Sequence, residues 1–167
     1  MRTHRMLRTL TLAPLLTAVV GMLALVALAR PASAASLNDC MNAPGNGTCN
    51  GYQLTKNDYC WRDSYNVTSV SYDDGDWHFI VYLRYSKACK SNFAYVDQIG
   101  RPIVGVYNFA AKVRRGAGAD GPYVMQHGPF SQTLSDAISP LVYSPNNPAQ
   151  ACISTNSNDQ AKCTSYV

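Results

Sequence analysis

The chain has 167 residues, with 14 Lys or Arg, 10 Asp or Glu and a formal net charge of +4. All of its acidic side chains are aspartates, which excludes the Glu-based general acids and bases of many glycosidases and ribonucleases. Four of the basic residues lie in an N-terminal segment with the features of an export signal, so the rest of the chain carries ten residues of each sign. That balance argues against a nucleic-acid partner, which needs a basic surface.

Residues 1–34 are predicted to be a signal peptide. A basic start precedes a largely apolar run from Leu10 to Ala29, and Ala32-Ser33-Ala34 fits the small-residue rule for cleavage. An uncleaved membrane anchor is the alternative, because the apolar run is long enough to span a bilayer. Cleavage before Ala35 predicts a secreted protein with no membrane segment and enough residues for one domain.

Residues 35–58 are predicted to form an extended N-terminal arm that precedes a β domain over residues 59–167. The arm is poor in large apolar side chains, and its stretch from Asn42 to Thr48 is rich in turn-forming residues.

A β-hairpin is predicted to follow the arm, with Asp74-Gly75 at the centre of a type I′ turn. Counting outward from this turn places Cys60 opposite Cys89 at the open end. Alternate residues from Trp77 to Tyr85 form the predicted core face. The second face is also partly apolar, so it is either covered by another layer or meets a partner. It is predicted to carry Tyr65, His78, Tyr82 and Arg84, with Tyr65 opposite Arg84.

The remaining chain is punctuated by Gly, Pro and Asn. Strands are predicted at Phe93–Ile99, Pro102–Arg115 (with a bulge at Gly105), Tyr123–Met125 and Leu141–Tyr143, with a short helical turn within Ser131–Ile138 and a polar tail from Cys152 to Val167. The basic cluster of Lys112, Arg114 and Arg115 is interpreted as a solvated strand end. Together these signals predict a mainly β fold, a single disulfide-stapled sandwich or barrel-like domain.

All six cysteines follow the predicted cleavage site, and an even number in an exported chain predicts a disulfide framework. The hairpin supports one pair and proximity in sequence suggests the other two. No CxxC pair occurs, so neither a metal site nor a cofactor is predicted. The predicted disulfides are Cys60–Cys89, Cys40–Cys49 and Cys152–Cys163.

Two histidines remain beyond the signal segment. His78 is predicted to face Ser71, with Asp76 on the same face, but no nucleophile elbow or oxyanion donor accompanies this nominal triad. His127 precedes Gly128-Pro129 in a predicted loop. No catalytic residue is therefore predicted. The aspartates of the hairpin turn are explained by turn geometry, because the other ligands of a calcium loop are missing.

One segment resembles a known family. Leu83-Arg-Tyr-Ser, followed by Cys89 and then Phe93-Ala94, is similar to the signature of the YjfA-like family of small exported proteins, common in actinobacteria. Upstream Cys49 and Cys60 and the closing Ala151-Cys152 and Cys163-Thr164 extend the resemblance over most of residues 49–167. The family usually has Trp-Ala-Arg where this chain has Phe93-Ala94-Tyr95, so any role of that Arg is not carried over.

The resemblance implies a compact, disulfide-bonded β fold without established catalytic residues. Such proteins are also similar to adaptor subunits of umbrella toxin particles, in which a β domain with an extended arm links a lectin-like subunit to the toxin-bearing scaffold. The resulting hypothesis is a non-catalytic adaptor that binds another secreted protein. Its predicted contact residues are Asn42, Pro44 and Asn46 of the arm and Tyr65, Tyr82 and Arg84 of the hairpin.

Two alternatives come from different classes of protein. A secreted protease inhibitor would use the loop between Cys40 and Cys49 as bait. A small hydrolase would be centred on His78 or His127.

Overall fold

The computed structural model describes residues 36–75, 77–99, 109–126, 136–155 and 161–167. The predicted signal peptide, the bulge at Gly105, the side chain of Asp76 and His127 lie outside these ranges. None of the described helices is long and apolar enough to cross a membrane.

Within the ranges that the structure describes, three short helices precede nine strands. The helices are α1 (Leu37–Asn42), α2 (Asn46–Cys49) and α3 (Tyr59–Arg62). The strands are β1 (Ser64–Asp74), β2 (Trp77–Ser86), β3 (Ser91–Ile99), β4 (Phe109–Arg115), β5 (Tyr123–Gln126), β6 (Asp136–Ile138), β7 (Val142–Tyr143), β8 (Ala149–Thr155) and β9 (Lys162–Cys163).

The strands form two antiparallel sheets that pack face to face. The first sheet has the order β1-β2-β3-β6, with β7 also paired to β3, and the second has the order β5-β4-β8-β9. Phe79, Val81 and Leu83 of β2 meet Phe109 and other residues of β4 and β8 in a fully buried core. This confirms the mainly β sandwich. Within the described residues the two sheets do not close into a barrel.

The hairpin of β1 and β2 forms, but its register differs from the predicted one by two residues. Asp74 pairs with Trp77, and Val70 pairs with Val81 instead of Phe79. Side chains alternate with a period of two along a strand, so a shift of two residues leaves each side chain on its predicted face. Val70 and Tyr72 therefore still pack against the core between the sheets.

A β-bulge near the start of β1 then changes the face of one predicted contact residue. The register shifts between Asn66 and Thr68, so that Tyr65 pairs with Tyr85 and Arg84 pairs with Asn66. The prediction that Tyr65 faces Arg84 is therefore wrong. The extra residue of the bulge reverses the alternation of the strand, and Tyr65 lies on the side of the first sheet that carries Tyr85 and Leu83.

Residues 36–58 are not an extended arm. They contain α1 and α2, and Ser36 caps α1 by accepting a hydrogen bond from the Asp39 amide at 3.1 Å. Leu141 joins the segment to the domain, accepting a bond from Gly51 N at 3.0 Å and donating one to Tyr52 O at 2.9 Å. The segment packs on the first sheet because its buried cysteines provide the apolar surface that its sequence otherwise lacks. The second core cluster comprises Cys40, Cys49, Leu54, Cys60, Cys89, Phe93 and Leu141.

The three predicted disulfides are all present: Cys40–Cys49, Cys60–Cys89 and Cys152–Cys163. The Cys60–Cys89 pair, however, does not arise from the hairpin register that predicted it. Cys60 lies in α3 and Cys89 lies in the turn between β2 and β3, so the two do not face each other along the hairpin. Three disulfides indicate an oxidising, extracellular type of environment.

Several other predicted elements can be compared directly. The strands at Phe93–Ile99 and Tyr123–Met125 are confirmed, and Phe109–Arg115 is the described part of the strand predicted from Pro102. The predicted helical turn is wrong over Asp136–Ile138, which pairs with β3 as a strand. The predicted polar tail begins inside β8, a strand missed because Ala149–Thr155 contains only one large aliphatic residue.

Candidate functional site

The outer face of the first sheet is the side turned away from the second sheet, and only part of it is covered. The N-terminal segment covers Phe93 and packs against Ile138. Beyond it, Tyr82 pairs with Tyr95, and their rings stack with centroids 5.8 Å apart. Ile99 is 45% exposed further along the same face. One part of the outer face is therefore buried under the N-terminal segment, and the other part is an accessible surface with aromatic side chains.

Trp61 stands at the boundary between these two halves. It projects from α3, which the neighbouring Cys60–Cys89 disulfide ties to the turn after β2. The Ser64 hydroxyl donates to the Trp61 carbonyl at 2.6 Å. The Trp61 ring lies 5.6 Å from the ring of Phe93 and 5.0 Å from that of Tyr95, the latter edge-on. These contacts hold the indole as a platform on the sheet.

Arg84 lies on this platform with its charge unpaired. Its guanidinium carbon is 4.1 Å from the centroid of the Trp61 ring, and its Nη2 donates to the Ser64 carbonyl at 3.1 Å. Its Nε is buried without a hydrogen-bond partner. The ion pairs between described residues are Lys56–Asp136 and His78–Asp73, so neither gives Arg84 a carboxylate. Burial lowers the pKa of Arg84, which reflects the cost of holding this cation away from water.

Two neighbouring charges, those of Lys56 and Asp136, are already paired with each other. Lys56 Nζ contacts the Asp136 carboxylate and donates to the Tyr95 hydroxyl at 3.4 Å. The hydrogen bond that Lys56 donates to Asp136 raises the pKa of Lys56. Burial, followed by the nearby Asp97 charge, raises the pKa of Tyr95 to about 12, so the phenol is neutral at physiological pH. Arg84 is thus the cation of this face without a carboxylate partner among the described residues.

The predicted contact residues divide between separate places. Tyr82 and Arg84 lie on the outer face, and Tyr65 lies on the opposite side of the sheet. Asn42 and Asn46 are exposed on the N-terminal segment and Pro44 is partly exposed. No hydrogen bond, ion pair or ring contact between described residues joins these three to Tyr82 or Arg84.

Sequence reasoning missed three members of the site: Lys56, Trp61 and Tyr95. One signal was present in the chain, because Trp61 directly follows a cysteine whose disulfide restrains its position. That signal does not reveal that Trp61 and Tyr95 meet, because their contact depends on where α3 packs.

His78 is not part of a triad with Ser71. It pairs with Asp73 across the hairpin, with Nδ1 2.5 Å from the carboxylate oxygen, whereas Ser71 pairs with Ile80. Both members of the His78–Asp73 pair are largely exposed. A solvent-exposed polar contact between the two strands accounts for this geometry, and it gives no support to hydrolysis at His78.

The surroundings of Cys40 give no support to a metal site or to a protease-inhibitor loop. The sulfurs of Cys40, Cys60 and Cys89 lie within 4.8 Å of one another, but each belongs to a disulfide and offers no thiolate to a metal. The proposed bait loop between Cys40 and Cys49 is partly helical and is closed by fully buried cysteines. An inhibitor that adds to a protease as an extended strand needs a different conformation.

No family model, curated protein or solved structure matches this chain. The resemblance carried by Leu83–Ala94 therefore stays a prediction, and the functional argument depends on the geometry of the outer face.

Proposed function

We propose that this protein is a secreted, non-catalytic binding module that holds another secreted protein on the outer face of its first sheet. The observation that carries the proposal is the guanidinium of Arg84, stacked on Trp61 and without a carboxylate partner among the described residues. Trp, Tyr and Arg are the residue types that dominate binding energy at protein interfaces. Here Trp61, Tyr82 and Tyr95 form one aromatic cluster beside the Arg84 guanidinium and the Lys56–Asp136 ion pair.

The chemistry of the cluster indicates the chemistry of the partner. A half-buried cation has already lost part of its hydration, so an incoming carboxylate that pairs with it restores the missing interaction. Lys56 is neutralised by Asp136, so the surface calls for one acidic group. The adjoining Tyr82 and Tyr95 rings call for an apolar group beside it. The partner is therefore a protein that presents an Asp or Glu next to an apolar side chain.

Secretion and the role of linking two other proteins are two further parts of the proposal, and each has its own support. Secretion is supported by the three disulfides and by the predicted signal peptide. The more specific role of linking a lectin-like subunit to a toxin scaffold is supported by the sequence resemblance. In this proposal the contact surface is the outer face around Arg84, because residues 36–58 are folded against the domain.

The test begins with capture of a partner from culture supernatant by the exported protein. Any protein identified by mass spectrometry is purified, and its affinity is measured by calorimetry. Arg84→Met keeps an unbranched apolar side chain beside Trp61 but removes the charge, and it should weaken binding by about thirtyfold or more, as expected for a hot-spot residue.

Arg62→Met is the matched control. Arg62 is exposed on the same helix as Trp61, and its side chain makes no hydrogen bond or ion pair with a described residue. Its replacement should leave affinity within about twofold, as is usual for residues outside a hot spot. Equal binding by the wild type and Arg84→Met would show that the partner does not use this face.

A further inference from the structure

A groove of about 390 Å³ lies at one end of the sandwich. Its volume is in the range of small-molecule binding sites. Tyr65 and Tyr85 reach it from the side of the first sheet opposite Arg84, and the loop between β7 and β8 supplies the facing wall. It is therefore separate from the outer face.

Two tyrosine rings form an aromatic corner in this groove. The centroids of Tyr65 and Tyr85 are 6.0 Å apart and their planes meet at 71°. Tyr65 is 45% exposed because the bulge in β1 turns it away from the outer face. Burial, with smaller contributions from neighbouring groups, raises the pKa of Tyr85, so both its ring and its hydroxyl are uncharged surfaces for a ligand.

The polar part of the groove consists of amides and a hydroxyl. Asn92 Nδ2 donates to Ser144 Oγ at 2.5 Å, and that hydroxyl donates to the Val142 carbonyl at 3.1 Å. These bonds fix the Asn92 amide in place, and its side-chain oxygen accepts no bond from a described residue. Asn146 is exposed on the loop and adds both a donor and an acceptor. The groove can thus exchange hydrogen bonds in both directions.

None of the side chains that line the groove is charged, and one cation lies beside it, the Lys87 ammonium, 5.5 Å from the centroid of the Tyr65 ring. A ligand with several charges, such as a nucleotide or an acidic peptide, would lose more hydration there than this single ammonium returns. A neutral ligand with flat apolar C–H faces and several hydroxyls fits both parts of the lining. A proline-rich peptide could stack on the tyrosines, but it has too few polar groups to use the amides.

We propose that this groove binds a neutral saccharide. One sugar ring stacks in the corner of Tyr65 and Tyr85, and its hydroxyls bond to Asn92 and Asn146. This inference is independent of the protein-binding face, because the two sites lie on opposite sides of the first sheet.

The experiment titrates the isotope-labelled exported protein with neutral tetrasaccharides of β-linked glucose, β-linked N-acetylglucosamine and α-linked mannose. A proline decapeptide is titrated in parallel. At least one saccharide should shift the amide signals of Tyr65, Tyr85 and Asn92 in a saturable way. Tyr65→Ala should weaken its affinity by about tenfold, the effect of losing one aromatic contact.

Tyr59→Ala is the matched control, since Tyr59 is 48% exposed but does not line the groove. It should bind as the wild type does. Asn146→Ala, on an exposed loop, tests the site again if Tyr65→Ala fails to fold, and should also weaken binding. The proposal is overturned if no saccharide gives saturable shifts, if the decapeptide alone occupies the groove, or if the Tyr65 and Asn146 variants bind normally.

Discussion

Arg115 and Arg84 are both withdrawn from solvent, but their guanidinium groups differ in how many hydrogen bonds they donate. Arg115, at the end of β4, is only 4% exposed and donates four hydrogen bonds. Arg84, in β2, makes one bond, to Ser64 O, and leaves its Nε buried without a partner. Neither forms an ion pair with a described carboxylate.

The acceptors explain the difference. Arg115 Nε donates to Gly121 O at 2.7 Å and Nη2 to Asp120 O at 2.7 Å, so the guanidinium closes the loop after its own strand. Its Nη1 donates to the Asn46 side chain at 2.7 Å and also contacts the Tyr143 carbonyl. Arg115 therefore joins the second sheet to β7 and to the N-terminal segment. A guanidinium whose donors are filled in this way is structural.

Arg84 has aromatic rings where Arg115 has carbonyl oxygens. A ring face stabilises a cation but cannot accept the directed bonds of several N–H groups. Burying donors without acceptors lowers stability, and in the proposed complex a bound carboxylate would provide those acceptors. The comparison teaches that hydrogen-bond saturation, more than burial, separates a structural arginine from a binding one.

Replacement of Arg115 should produce the largest effect on stability. Arg115→Met removes the donors of four bonds and leaves the part-buried carbonyls of Asp120, Gly121 and Tyr143 without them, so the free energy of unfolding should fall by about 3 kcal/mol or more. Urea denaturation measures it. Lys162→Met, which removes a charge from an exposed position on β9, should change that free energy by less than about 0.5 kcal/mol. A loss below about 1 kcal/mol in Arg115→Met would end its assignment as structural.

Replacement of Arg84 should produce a smaller effect by the same measurement. Arg84→Met gives up one backbone bond and the cation–π contact, but it also removes a buried unpartnered donor. These opposing contributions predict a change of less than about 1 kcal/mol in either direction. If Arg84→Met destabilised the protein as strongly as Arg115→Met, the two arginines would have the same role and the comparison would fail.

A separate effect, confined to alkaline pH, should depend on Tyr95. Its pKa is about 12 in the folded protein and about 10 in an unfolded chain. The folded state therefore holds this proton more tightly. The stability that Tyr95 contributes is present below about pH 10 and is lost as the pH rises towards 12. The raised pKa of Lys56 acts in the same direction.

Urea unfolding at several alkaline pH values should thus give a free energy of unfolding that falls less steeply in Tyr95→Phe than in the wild type. Tyr123→Phe is the control, because that tyrosine lies on β5, in the second sheet. Identical slopes for the wild type and Tyr95→Phe would mean that the Tyr95 hydroxyl is not withdrawn from water at the edge of the Arg84 site.

The sequence by itself determined the fold class and two of the three disulfide pairs. Alternation along β2 predicts which side chains face the core. This prediction is correct although the turn was placed one residue too early, because a register error of two residues keeps every side chain on its face. The pairs Cys40–Cys49 and Cys152–Cys163 followed from proximity along the chain. These features are local, so local patterns were sufficient to predict them.

Only the tertiary structure determined which side chains form the outer face and the groove. A single bulged residue moved Tyr65 from the predicted contact face into the groove, and no local pattern in β1 marks that bulge. Trp61 and Lys56 reach the outer face because the N-terminal segment folds back onto it. Arg115, predicted to be a solvated strand end, is buried because α2, β7 and a loop bring oxygen atoms to it. These outcomes depend on contacts between residues distant in sequence, whose energies no periodicity or turn signal encodes.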